Sequence, residues 1–243
     1  MIPDKAVVRP VRTKHTPELG PLALLAASDL DVQYLKLGLD LPDSRRLYMS
    51  RVYYNNSNPK QPVLVGPLMG APYAVMLFEI LRCWGVQRAF FIGWCGSIDQ
   101  RVRIGDIIVP SGAWIDEGTS VHYGQSPVDA VQSDTILHET LLRELPKRQS
   151  NFHSGLIWTT DAIFRETPDQ IRRYQQLGAL AVEMELSALF SAARFYDVPM
   201  AAILSVSDEL FTFQWQPGFK TDAFEQARST VCNLIIDLAK SDH

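Results

Sequence analysis

Short apolar runs alternate with segments of helical period along most of the chain, and that alternation restricts the fold more than any other property of the sequence. Apolar runs at 21–27, 88–92, 106–109, 154–160, from 180 onward and at 200–206 read as buried strands. Between them, segments 29–39, 72–84, 133–145, 168–177, 186–196 and 221–240 read as helices. Ser28 or Asp29 offers a cap for the first helix, and Pro168 suits a first helical turn. Two further strands, 47–54 and 62–65, are joined by the turn-rich Asn55-Asn56-Ser57-Asn58-Pro59. Strands that alternate with helices pack into a sheet covered on both faces. The expectation is an α/β fold: a three-layer α/β/α sandwich around a mostly parallel, twisted mixed sheet, in one domain over 1–243.

The composition narrows the function classes. A net charge of −4 speaks against a nucleic-acid partner, which selects for a basic face. No run approaches the roughly 18 apolar residues of a membrane span. Residues 1–15 lack the apolar centre of a signal peptide. Cys83, Cys95 and Cys232 are an odd number without metal-ligand spacing, which fits a reduced, cytoplasmic setting better than a disulfide framework. A soluble protein with a small-molecule partner is expected.

Two apolar runs end in carboxylates. Leu180-Ala181-Val182 leads into Glu183-Met184-Glu185, and 201–206 leads into Ser207-Asp208. Ligands of open α/β sheets lie outside the carboxyl ends of the strands. Glu183, Glu185 and Asp208 would therefore surround one crevice, with apolar Met184 placed to lie against a sugar. Taken singly, each has a plainer explanation. Acids at a helix start are favoured by its dipole, Asp208 suits a cap, and Met69 suits the core.

Their joint order carries more weight, because it resembles that of the nucleoside phosphorylase and nucleosidase superfamily. The blocks are Gly66-Pro67-Leu68-Met69-Gly70-Ala71-Pro72, Gly93-Trp94-Cys95-Gly96-Ser97-Ile98, 103–109, Ala181-Val182-Glu183-Met184-Glu185 and Ser205-Val206-Ser207-Asp208. The resemblance implies that Glu185 holds the ribose hydroxyls, helped by Met184, Met69 and Glu183, although Glu183 fits a cap or a water ligand equally well. It implies that Asp208, beside Ser207, protonates a purine at N7. It assigns the base to Thr160, Ile163 and Phe164, with Phe164 or Trp158 as alternative stacking partners. Homo-oligomers, dimers or hexamers, are implied, with no cofactor and with phosphate as a co-substrate.

The chain departs from the family pattern at the phosphate. Val32 and Phe91 stand where two arginines are expected, and Trp94 replaces a loop serine. Gly93 and Gly96 keep backbone donors, and Arg45 or Arg46 offers a replacement cation acting in a neighbouring subunit. Val32, Phe91 and Trp94 are expected to line one apolar pocket. Gln170 and Arg172 lack the spacing by which uridine phosphorylases read a pyrimidine. Phe211, Phe213 and Trp215 form a flap or a subunit contact. Three readings follow: a phosphorylase releasing base and ribose 1-phosphate, a phosphate-independent nucleosidase, and a nucleoside-binding protein without turnover.

Overall fold

The computed structural model describes residues 6–127, 129–148 and 150–241. Strand β1 (Leu22–Ala26) is followed by helix α1 (Asp29–Leu39), capped by the Ser28 hydroxyl on the Leu30 N–H. A hairpin of β2 (Asp43–Leu47) and β3 (Ser50–Tyr54) precedes β4 (Val63–Gly66) and α2 (Ala71–Cys83). The long strands β5 (Arg88–Ser97) and β6 (Ile107–Asp116) come next, then β7 (Ala130–Gln132), α3 (Thr135–Glu144) and β8 (Phe152–Thr160). The chain closes with α4 (Pro168–Gln176), β9 (Ala181–Glu183), α5 (Leu186–Phe195), β10 (Met200–Glu209), β11 (Gln216–Pro217) and α6 (Asp222–Ser241).

The strand order is β11-β10-β6-β8-β9-β5-β1-β4-β3-β2, with β7 on β6 and β10 also paired to β5. Pairs β1–β4, β1–β5, β5–β10, β6–β8 and β8–β9 are parallel, while β5–β9, β6–β10 and the edge pairs are antiparallel. The sheet is therefore mixed, as expected. Successive residues of β1 point to opposite faces, and both faces are buried. Ala23 and Leu25 join Phe78 of α2 and Leu189 of α5 in one core. Leu22, Leu24 and Ala26 join Leu35 of α1 and Ile235 of α6 in the other. No described helix is long and apolar enough to cross a membrane.

Three strands outrun their apolar segments. Strand β5 was expected to give way to a glycine loop after Ile92, yet it continues through Gly93-Trp94-Cys95-Gly96 to Ser97. Strand β10 likewise contains Ser207 and Asp208, and β6 extends past Val109 to Asp116. Cross-strand pairing supplies what local pattern does not: Ser205 faces Trp94, and Asp208 faces Gly96. A register shift between Val206 and Asp208 leaves an extra residue on β10, the arrangement by which a bulge re-aims neighbouring side chains.

Candidate active site

Glu185 stands just before α5, and its Oε1 accepts from the Gly70 N–H at 2.6 Å. Gly70 has φ +81°, a conformation that costs a glycine little, and in it the N–H meets the Glu185 carboxylate. Met69 beside it is 79% exposed, and Met184 is half-buried. Glu183 is buried and fully engaged. Its Oε2 accepts from the N–H groups of Glu185 at 2.7 Å and Leu186 at 2.8 Å, and its Oε1 from the Thr159 hydroxyl. Glu183 thus serves the orphan donors at the start of α5 and fixes the backbone that carries Glu185. Burial raises the pKa of both acids, and the charge of Glu185 raises that of Glu183 further.

Thr159 is the hub behind this pair. It donates to Glu183 and accepts from the Ser187 N–H at 2.9 Å, while the Ser187 hydroxyl donates to the buried Glu117 at 2.9 Å. Thr159→Val keeps the shape and strands both partners. Urea unfolding should show a loss of about 1–3 kcal/mol, and an unchanged midpoint would remove the network from the stability argument.

Asp208 lies on β10 opposite Gly96 of β5, whose other strand neighbour is Val182 of β9. Its Oδ1 accepts from the Ser207 hydroxyl at 2.6 Å and its Oδ2 from the Trp215 indole N–H at 2.9 Å. A Cβ at position 96 would clash with Leu210 Cδ1 and stand 2.9 Å from Asp208 Oδ2, so a larger residue would displace both side chains. Desolvation raises the pKa of Asp208, and the bonds from Ser207 and Trp215 oppose the shift. Such a carboxyl can carry and deliver a proton.

The base-pocket expectations fare unevenly. Thr160 is buried at the end of β8, with its hydroxyl on the Ala162 N–H at 3.2 Å. Ile163 and Phe164 form a single 3-10 turn and are 50% and 96% exposed. Trp158 is no stacking partner for a ligand: it is fully buried, stacks on Tyr174 at 4.4 Å and donates to Asp116 at 2.9 Å. Gln170 completes the capping box of α4, and the Arg172 guanidinium lies 4.5 Å from the Phe213 ring centre.

The expected apolar pocket is different from its sequence outline. Val32 of α1 packs in the α1/α6 core, whereas Phe91, at an odd position of β5, points to the opposite face and packs in the α2/α5 core. Trp94 shares the α1/α6 face, and its indole N–H donates to Asp31 Oδ2 at 2.6 Å. Arg228 of α6 reaches Asp31 Oδ1 through Nε at 2.9 Å and Nη2 at 2.7 Å, with its guanidinium 5.2 Å from the Trp94 ring. Asp31 is 1% exposed. The slot beside Trp94 thus holds an internal carboxylate and its cation. Arg45 donates to the His15 carbonyl at 2.6 Å and Arg46 to that of Tyr48 at 3.0 Å, so within one chain neither is directed at Trp94. Asp31, Arg228 and Thr159 gave no local signal in the sequence. Neither did Glu166, a half-buried acid just ahead of α4.

Among curated proteins, the chain is 28% identical over 183 residues to a DeoD-type purine nucleoside phosphorylase of Mycoplasma pneumoniae, with 73% of each chain covered. It is 29% identical over 183 residues to the DeoD-type purine nucleoside phosphorylase of Bacillus cytotoxicus, with 74% of each covered. A crystal structure of uridine phosphorylase from Vibrio fischeri ES114 superposes with a TM-score of 0.78 at 20% identity, covering 91% of this chain and 92% of that one. The phosphorylase superfamily profile matches residues 17–240, a span that holds every element from β1 to β11 and both carboxylate-bearing strand ends. With sequence profile and backbone in agreement, the chain belongs to the phosphorylase superfamily.

Proposed function

We propose that this protein cleaves the N-ribosidic bond of a purine nucleoside and, with phosphate as nucleophile, releases the base and ribose 1-phosphate. The observation that carries the reading is the register that sets β9, which runs into Glu185, and β10, which carries Asp208, on the two sides of Gly96 of β5, with each carboxyl group held by its own partners. Glu185 has roughly four lone-pair directions, and backbone N–H groups of Gly70 and Met184 address it. The rest suit the 2′- and 3′-hydroxyls of a ribose. Bond cleavage leaves positive charge on the sugar and negative charge on the base. Glu185 stabilises the first and a proton from Asp208 neutralises the second. Thr160 and Ser207 line the base side, with Ile163 and Phe164 at the rim. Gly93 and Gly96 lie within a paired strand.

A second reading, hydrolysis, is favoured by Asp31. The Trp94 N–H and the Nε and Nη2 groups of Arg228 are engaged by this internal anion, whose charge also repels a phosphate in the same slot. A neighbouring copy of the chain supplying Arg45 or Arg46 would restore phosphorolysis, and a homo-oligomer is part of the first reading. Base release from a nucleoside panel, measured with and without phosphate, discriminates between them. Phosphate-dependent release supports phosphorolysis, phosphate-independent release supports hydrolysis, and thermal stabilisation without release by any nucleoside defeats both. A monomer by light scattering would remove the contribution of Arg45 and Arg46 in trans.

A further inference from the structure

We propose that Glu166 is an additional base-reading residue, accepting a hydrogen bond from the exocyclic amino group of a 6-aminopurine while Asp208 serves the adjacent ring nitrogen. The proposal rests on the nucleoside-cleaving reading above. Its first support is a missing partner. The other buried acids at these strand ends are all bonded: Asp31 to Arg228, Glu117 to Ser187, Glu183 to Thr159, Glu185 to Gly70, Asp208 to Trp215 and Glu209 to Arg103. The carboxyl group of Glu166 is half-buried, yet no described side chain or backbone group donates to it or pairs with it. A half-buried carboxylate that no protein group engages keeps its lone pairs free for a ligand's donor.

Placement is the second support. Glu166 ends the turn Ile163–Arg165 and directly precedes Thr167, whose capping box with Gln170 fixes the start of α4. Ile171 and Tyr174 hold α4 in one cluster with Leu210, and Arg172 lies over Phe213. Those contacts dock the start of α4 against the segment that follows Asp208, whose Trp215 bonds Asp208 itself. Among the described residues, the Asp208 charge is the one that acts on Glu166. Arg165 is exposed, and Arg172 is also engaged by Asp169 at 2.8 Å. Burial first, and then Asp208, push Glu166 up to about 7.

The chemistry follows from purine geometry. The 6-substituent and N7 share an edge of the ring, so a group next to the N7 acid meets that substituent. An ionised carboxylate only accepts and therefore favours an amino group, whereas the protonated form can also donate to a 6-oxo group. Selectivity for 6-amino over 6-oxo substrates should accordingly grow as pH rises through 7. The titration of Asp208 affects both substrates alike and cancels in their ratio.

The test compares kcat/KM for adenosine and inosine at about pH 6 and pH 8, in the whole protein and in Glu166→Gln. The wild-type preference for adenosine should rise with pH and exceed that of the variant by at least about tenfold at the higher pH, as for a charged hydrogen bond. The ratio in the variant should be flat with pH, and Glu166→Ala should behave the same way. Retention of the wild-type ratio and its pH dependence in both variants would overturn the proposal. Should the wild type cleave neither nucleoside, the reading of the active site fails separately, and calorimetry with adenine and hypoxanthine still decides on Glu166. Tighter adenine binding that Glu166→Gln abolishes sustains the assignment; equal affinities, or no binding of either base, end it.

Discussion

Asp208→Asn should lower kcat/KM for a purine nucleoside by on the order of a hundredfold or more, the usual contribution of a positioned general acid. The asparagine keeps the bonds from Ser207 or Trp215 in part but has no proton to deliver. The pH profile separates this role from a structural one. Desolvation raises Asp208, so the acid form persists to higher pH than an ordinary aspartate allows. Wild-type activity should decline as pH rises through that raised value, and the variant should lack this limb. A variant with an unchanged basic limb would mean that another group protonates the base.

Glu185→Gln is expected to cost about two orders of magnitude in kcat/KM, since an amide replaces a charged acceptor for two hydroxyls at roughly 1.5–3 kcal/mol each. The fold should survive and respond to pH in an informative direction. The folded-state pKa of Glu185 is raised by burial. The stability tied to it is therefore fully present below the ordinary carboxylate value and is lost as pH rises through the raised one. Glutamine has no such dependence, so the variant should gain on the wild type in urea midpoints toward alkaline pH. Equal activity of the two proteins would take Glu185 out of the site.

Elements with a local cause were legible in the sequence. Helix α1 occupies 29–39 as expected, because Ser28 caps it and its apolar residues keep helical spacing. Pro168 opens α4 for the same kind of reason. The strand ends were not legible. Glycine, serine and aspartate signal a turn, yet at 93–97 and 207–209 pairing between β5 and β10 keeps them extended. Glu183, Glu185 and Asp208 stood out as candidates because each follows an apolar run. Asp31 could not, since its partner Arg228 is 197 positions away. Glu166 reads as an ordinary loop acid, and only tertiary placement leaves it without a partner.

The pairing of Asp31 with Arg228 also limits how a lineage can change this slot. The first helix and the last meet there through one buried ion pair roofed by an indole. Losing either partner alone strands the other charge, at a cost of about 3–5 kcal/mol, a large share of the margin by which a domain stays folded. The two positions are therefore epistatic, and an ancestor and a descendant that differ here are separated by a valley of poorly folded single mutants. Drift at the slot is expected to proceed by paired replacement, leaving correlated change between a residue near the start of the chain and one near its end.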